Sequence, residues 1–109
     1  MQTLIPIGTF EGKARGLLGD AGFDDMLEFL ARRPKAGRVI VGTGGLRKVR
    51  IARPGGGKSA GTRVIYYYHN ENKPILLLLI YAKTDQDNLT DAQKARLKKH
   101  VDAIFEEFG

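Results

Sequence analysis

The chain has 109 residues, 42% of them hydrophobic and 28% charged, which suits one folded domain over residues 1–109 and excludes a disordered chain. It has no cysteine, which excludes a disulfide scaffold and a thiolate metal site. The net charge of +6 is concentrated: Arg32 to Asn70 holds ten Lys and Arg and no Asp or Glu, so an anionic partner is expected, either nucleic acid or an acidic protein.

In chain order, QTLIPI (residues 2–7) reads as a short strand, with Pro6 placing it at an edge or an end. No basic segment leads into an apolar run here, so no signal peptide is expected and the protein is read as cytoplasmic. Thr9 can cap a helix starting at Phe10, with Phe10, Ala14, Leu17 and Leu18 on one face. Gly19 and Gly22 interrupt it. A second helix from about Phe23 places Phe23, Met26, Leu27 and Leu30 on its buried face, and Pro34 ends it. The two together predict an N-terminal helical hairpin packed on a sheet.

Residues 39–41, VIV, are a very short strand or an extended loop, and GTGG (42–45) is a turn. LRKVRIAR (46–53) alternates, with Val49 and Ile51 on one face and Lys48 and Arg50 on the other. PGGGKSAG (54–61) is a hairpin loop. TRVIYYYH (62–69) is a strand by its β-branched and aromatic content. ILLLLIYA (75–82) is apolar on both faces, too short to span a bilayer, and suits a strand covered on both sides. Thr90 and Gln93 form a capping box for a last helix, with Leu97, Val101, Ile104, Phe105 and Phe108 at helical spacing. The order β-α-α-β-β-β-α predicts a small α+β domain with a mostly antiparallel sheet.

If the strands at 46–53 and 62–69 are neighbours, Lys48, Arg50 and Arg63 converge, with Lys58 at the hairpin tip and Lys83 just past the apolar strand. Such a cluster repels itself unless an anion fills it. A polyphosphate chain is the natural filler, since Arg offers a fork of donors and Lys a point charge. Tyr66, Tyr67, Tyr68 and Tyr81 lie close in sequence, and unpaired bases stack on such rings. Consecutive tyrosines alternate faces, so at least one of them belongs to the core. The chain contains no H-E-x-x-H motif, P-loop or nucleophile elbow. No sequence feature brings His69 and His100 together, and Asp85 and Asp87 read as solvated loop residues. No metal or cofactor is therefore expected. RNA cleavage needs neither, because the 2′-hydroxyl is its own nucleophile and clustered cations can stabilise the phosphorane charge. The same surface would serve a non-catalytic RNA- or ribosome-binding module, or a protein that docks an acidic partner.

The segments GTGGLRKVRIARPGGGKSAGTRVIYYY, LLLIYAK and LTDAQKARLKK resemble the HigB branch of the RelE-like toxins, over about Phe23 to Lys99. The resemblance implies a toxin of a type II toxin–antitoxin pair, a ribosome-dependent mRNA endonuclease (mRNA interferase) that inhibits translation. It implies mRNA on the ribosome, with ribosomal RNA contacts, and a cognate antitoxin as partners, operator DNA being reached only through the antitoxin. Carried over by position, Lys48 and Arg50 match the basic pair before the hairpin loop, Arg63 the arginine at the scissile phosphate, and Lys83 the residue that assists the leaving group. These four are the expected catalytic residues. Arg47, Arg53, Lys58, Tyr66, Tyr68 and Tyr81 are expected to bind RNA or the ribosome. Arg50 is a poor proton acceptor at neutral pH, which leaves the general base unassigned. Several relatives carry a catalytic tyrosine in a C-terminal tail; here a long helix follows instead.

Overall fold

The computed structural model describes residues 2–52, 61–86 and 88–108. Its elements in chain order are β1 (Leu4–Pro6), α1 (Phe10–Arg32), β2 (Arg38–Val39), β3 (Leu46–Ile51), β4 (Thr62–Tyr67), β5 (Ile75–Ala82) and α2 (Asp91–Phe108). The strands form one sheet in the order β1-β5-β4-β3-β2. The pairs β2–β3, β3–β4 and β4–β5 are antiparallel, while β1 runs parallel to β5. This is the α+β architecture expected from the sequence. β1 takes the edge, where a proline costs no ladder hydrogen bond that a neighbour needs.

The apolar run of β5 lies between β1 and β4 and is covered on both faces. On one face, Ile75, Leu77 and Ile80 pack with Val64 and Tyr66 of β4 against Phe10, Ala14, Leu18, Phe23, Met26 and Leu30 of α1. On the other, Leu76, Leu78 and Tyr81 pack with Leu46 and Ile65 against Leu89 and Val101, with Leu97, Ile104 and Phe105 of α2 partly buried beside them. The two helices therefore sandwich the sheet. A register shift between Ile65 and Tyr66 in the β4–β5 pairing sets seven residues of β5, Leu76 to Ala82, against the six of β4.

The two helical stretches expected either side of Gly19 are present but joined end to end as α1. Gly19 has φ 75° and ψ 168°, a conformation essentially confined to glycine, and makes a kink in place of a hairpin loop. The second stretch resumes at once, so Gly22 lies inside helix. Arg15 spans the kink: its guanidinium reaches Glu11 at 3.0 Å and Asp20 at 2.9 Å and lies 4.5 Å above the Phe23 ring. Hydrogen bonds to those two carboxylates, Asp20 first, hold its pKa above the ordinary value. At the other helix the capping box is formed: Thr90 Oγ1 accepts from Gln93 N at 3.1 Å, and Gln93 Oε1 accepts from Thr90 N at 3.0 Å. Among the described residues, no helix is long and apolar enough to cross a membrane.

Candidate functional site

The antiparallel register decides which cations meet. Lys48 pairs with Arg38 of β2 on one side and Ile65 of β4 on the other. Two residues along, Arg50 pairs with Arg63, and Arg63 with Tyr81. Directly paired residues share a face. Lys48, Arg50, Arg63 and Arg38 therefore all lie on the α2 side of the sheet, together with Leu46 and Ile65. The apolar residues of α2 pack over this face from its Leu46–Tyr67–Leu76 end as far as Leu79. The opposite end is left as an open cleft of about 420 Å³ lined by Ala36, Arg38, Lys48, Val49, Arg50 and Arg63. Its lining holds four cations and no carboxylate.

Nη1 of Arg63 is buried and finds no hydrogen-bond partner among the described residues. A buried donor left unpaired costs about 1–3 kcal/mol. Gly61 lies so close that a Cβ there would come within 2.7 Å of Arg50 Nε and 3.0 Å of Arg63 Nη1. The missing side chain at Gly61 is thus what allows the two guanidinium groups to sit together. Lys48 Nζ donates to Asn88 Oδ1 at 3.2 Å. Asn88 is held in turn by its carbonyl, which accepts from Gln86 Nε2 at 3.0 Å, and Gln86 Nε2 also reaches Gln93 Oε1 of the capping box at 2.8 Å. The loop before α2 is thereby tied to both the helix and the cleft. Lys83 is exposed at the start of this loop, and its backbone N–H donates to Gly61 O at 3.1 Å. Among the described residues, no group of three His, Cys, Asp or Glu side chains is placed to hold a metal ion.

Other expected residues lie elsewhere. Tyr66 is fully buried on the α1 side of the sheet, so its ring offers no face to a base. Its hydroxyl accepts from Gly37 N and donates to Pro34 O, both at 2.8 Å. Burial, opposed by the Gly37 hydrogen bond and by Arg47, raises its pKa above the ordinary value. Arg47 also faces α1, and its Nη1 donates to Gly37 O at 2.8 Å. Tyr68 packs half-buried against the α1-side core and lines a separate groove with Gln2, Pro34, Glu71 and Asn72. Tyr81 pairs with Arg63 across β4 and β5, but it is buried (7% exposed) and belongs to the α2-side core. Arg53 and Lys58 lie outside the described residues, as does Asp87.

The histidines do not meet the cations. His69 lies six residues along the strand direction from Arg63, roughly 20 Å away. There it stacks on Tyr67 with ring centroids 6.2 Å apart and shares a hydrogen bond of 3.2 Å with the Tyr67 hydroxyl. His100 is exposed on α2. Two cleft residues had no assigned role in the sequence reading: Arg38 and Asn88. Arg38 had a usable signal, since it stands two residues before Ile40 and so shares that residue's face if the stretch is a strand.

A family model described as the RelE toxin of the RelE / RelB toxin-antitoxin system matches residues 31–107. The chain belongs to this family. The match takes in β2 to β5, nearly all of α2 and every residue lining the cleft, and leaves out β1 and most of α1. Membership makes the chain a RelE-family toxin of a toxin–antitoxin pair, with an antitoxin as its protein partner. The matched region includes the whole lining of the cationic cleft, whose chemistry suits an anionic polymer.

Proposed function

We propose that this toxin is a ribosome-dependent mRNA endonuclease of the HigB branch, acting in the cytoplasm, with its cationic cleft as the RNA site. The observation that carries this is the convergence of Lys48, Arg50 and Arg63 in a cleft without a lining carboxylate, with a buried Arg63 nitrogen left unpaired. In the proposed reaction the ribose 2′-oxygen attacks phosphorus and the P–O5′ bond breaks. The products are a 2′,3′-cyclic phosphate and a 5′-hydroxyl end. Arg63 and Arg50 grip the scissile phosphate and stabilise the charge that builds on its oxygens. Lys48 is the one lysine lining the cleft, beside three arginines, and adds a point charge to their forked donors. Lys83, on the loop next to Gly61, is assigned to the leaving oxygen. Arg47, Arg53 and Lys58 are assigned to ribosomal RNA, and Tyr81 to the floor beside Arg63. The reaction as written needs no cofactor.

Expression of the toxin without its antitoxin tests this reading. Wild type is expected to arrest growth, and Arg63→Ala and Lys83→Ala are each expected to relieve the arrest while circular dichroism stays unchanged. Undiminished toxicity in both variants would overturn the site assignment.

A further inference from the structure

The cleft contains two cationic rows rather than one. Arg50 and Arg63 form one row across β3 and β4, and Arg38 and Lys48 form the next across β2 and β3. The rows are two residues apart along the strands, about 7 Å. That is the scale on which successive phosphates follow one another along an extended single strand. The backbone just before Arg38 is also unusually well fixed. Both the N–H and the C=O of Gly37 are bonded, to the Tyr66 hydroxyl and the Arg47 guanidinium. A Cβ at Gly37 would come within 2.8 Å of the Tyr66 ring and 2.9 Å of Lys48 O, so only glycine lets β2 approach this closely. Arg38 itself is exposed and makes no hydrogen bond or ion pair with the described residues. A buried tether thus presents an uncommitted guanidinium to the cleft. Across from it, Asn88 holds the ammonium of Lys48.

We infer that Arg38, together with Lys48, forms a second phosphate subsite, one linkage along the RNA from the phosphate held by Arg50 and Arg63. The inference rests on reading the cleft as an RNA site, but not on strand scission. Arg38 is a binding residue in this scheme, and the ligand it takes is the phosphodiester of single-stranded RNA.

The test is binding of a short 2′-O-methyl RNA, which cannot be cleaved by its own 2′-oxygen, followed by fluorescence anisotropy across a salt series from low ionic strength. Each phosphate contact to a single strand contributes about 0.7 to the slope of log K against log salt. Arg38→Ala is expected to lower the slope by about that amount, and Arg38→Lys to restore it. Neutral methylphosphonates are then placed one linkage at a time. In Arg38→Ala one linkage becomes insensitive to neutralisation; in Arg63→Ala it is the adjacent linkage. The inference is overturned if Arg38→Ala binds like wild type, or if both variants map to the same linkage. Wild type that binds with this pattern but does not cut on ribosomes would overturn the nuclease reading and leave the subsite standing. Wild type that binds no RNA would overturn both.

Discussion

At the residue scale, neighbouring side chains of one strand do opposite jobs. Lys48 and Arg50 face the cleft, whereas Arg47 between them and Leu46 bonds a loop carbonyl on the other side. That division was legible: the alternation that sets Val49 and Ile51 apart from Lys48 and Arg50 also puts Arg47 with the valine. The tyrosines were harder. Alternation says that at least one of three consecutive tyrosines is core, but not which, and the structure buries Tyr66 fully. Tyr66→Phe is expected to cost about 1–3 kcal/mol, since it strands the Gly37 N–H in a buried setting; a lower urea midpoint is the check. The raised pKa of Tyr66 also gives a sign. The unfolded chain loses the phenolic proton first, so the contribution is complete below about pH 10 and is lost as pH rises through the folded value. Tyr66→Phe removes that part of the alkaline fall in stability. Gly61→Ala probes the site instead. Its Cβ would displace the mobile ends of Arg50 and Arg63, so activity is expected to fall by up to about a hundredfold with little change in the urea midpoint.

At the element scale, α1 shows how a glycine can shape a helix without ending it. Gly19 adopts a backbone conformation that an alanine reaches only with strain, and Gly19→Ala is expected to cost about 1–3 kcal/mol. Gly12 and Gly16 are different: both lie in helix, with nothing near the position of an added Cβ. Alanine at either site is expected to stabilise by about 0.8–1.0 kcal/mol. Thermal or urea unfolding of the three variants would show opposite signs on the two sides of this contrast. The break at Gly19 was legible in the sequence, but its form was not. A glycine between two amphipathic stretches is compatible with a loop or a kink, and only packing on the sheet selects between them. β2 was obscure for a similar reason. Two residues carry too little pattern to announce a strand, and Arg38 joins the cleft only because β2 pairs with β3. By contrast, the apolar faces of β5 and the capping box of α2 are local signals, and the structure keeps both.

At the scale of the whole molecule, the sheet has one face packed on α1 and another that carries both the α2 core and, beside it, the open cationic cleft. The acid-free span from Arg32 to Asn70 supplies β2, β3 and β4, so the concentration of charge along the chain becomes a concentration in space. What could not be read from the chain was the parallel placement of β1 beside β5 and the opposite sides taken by the two helices. Both depend on long-range packing that no local pattern encodes. The measurement that bears most directly on the central claim is cleavage on a programmed ribosome. Purified toxin would be added to ribosomes carrying a short mRNA and the new 3′ ends mapped, with naked mRNA, Arg63→Ala and Lys83→Ala as controls. Cuts at the A-site codon that require the ribosome, Arg63 and Lys83 are the predicted result. An intact message on ribosomes that bind the wild-type protein, or equal cutting by all three proteins, would contradict it.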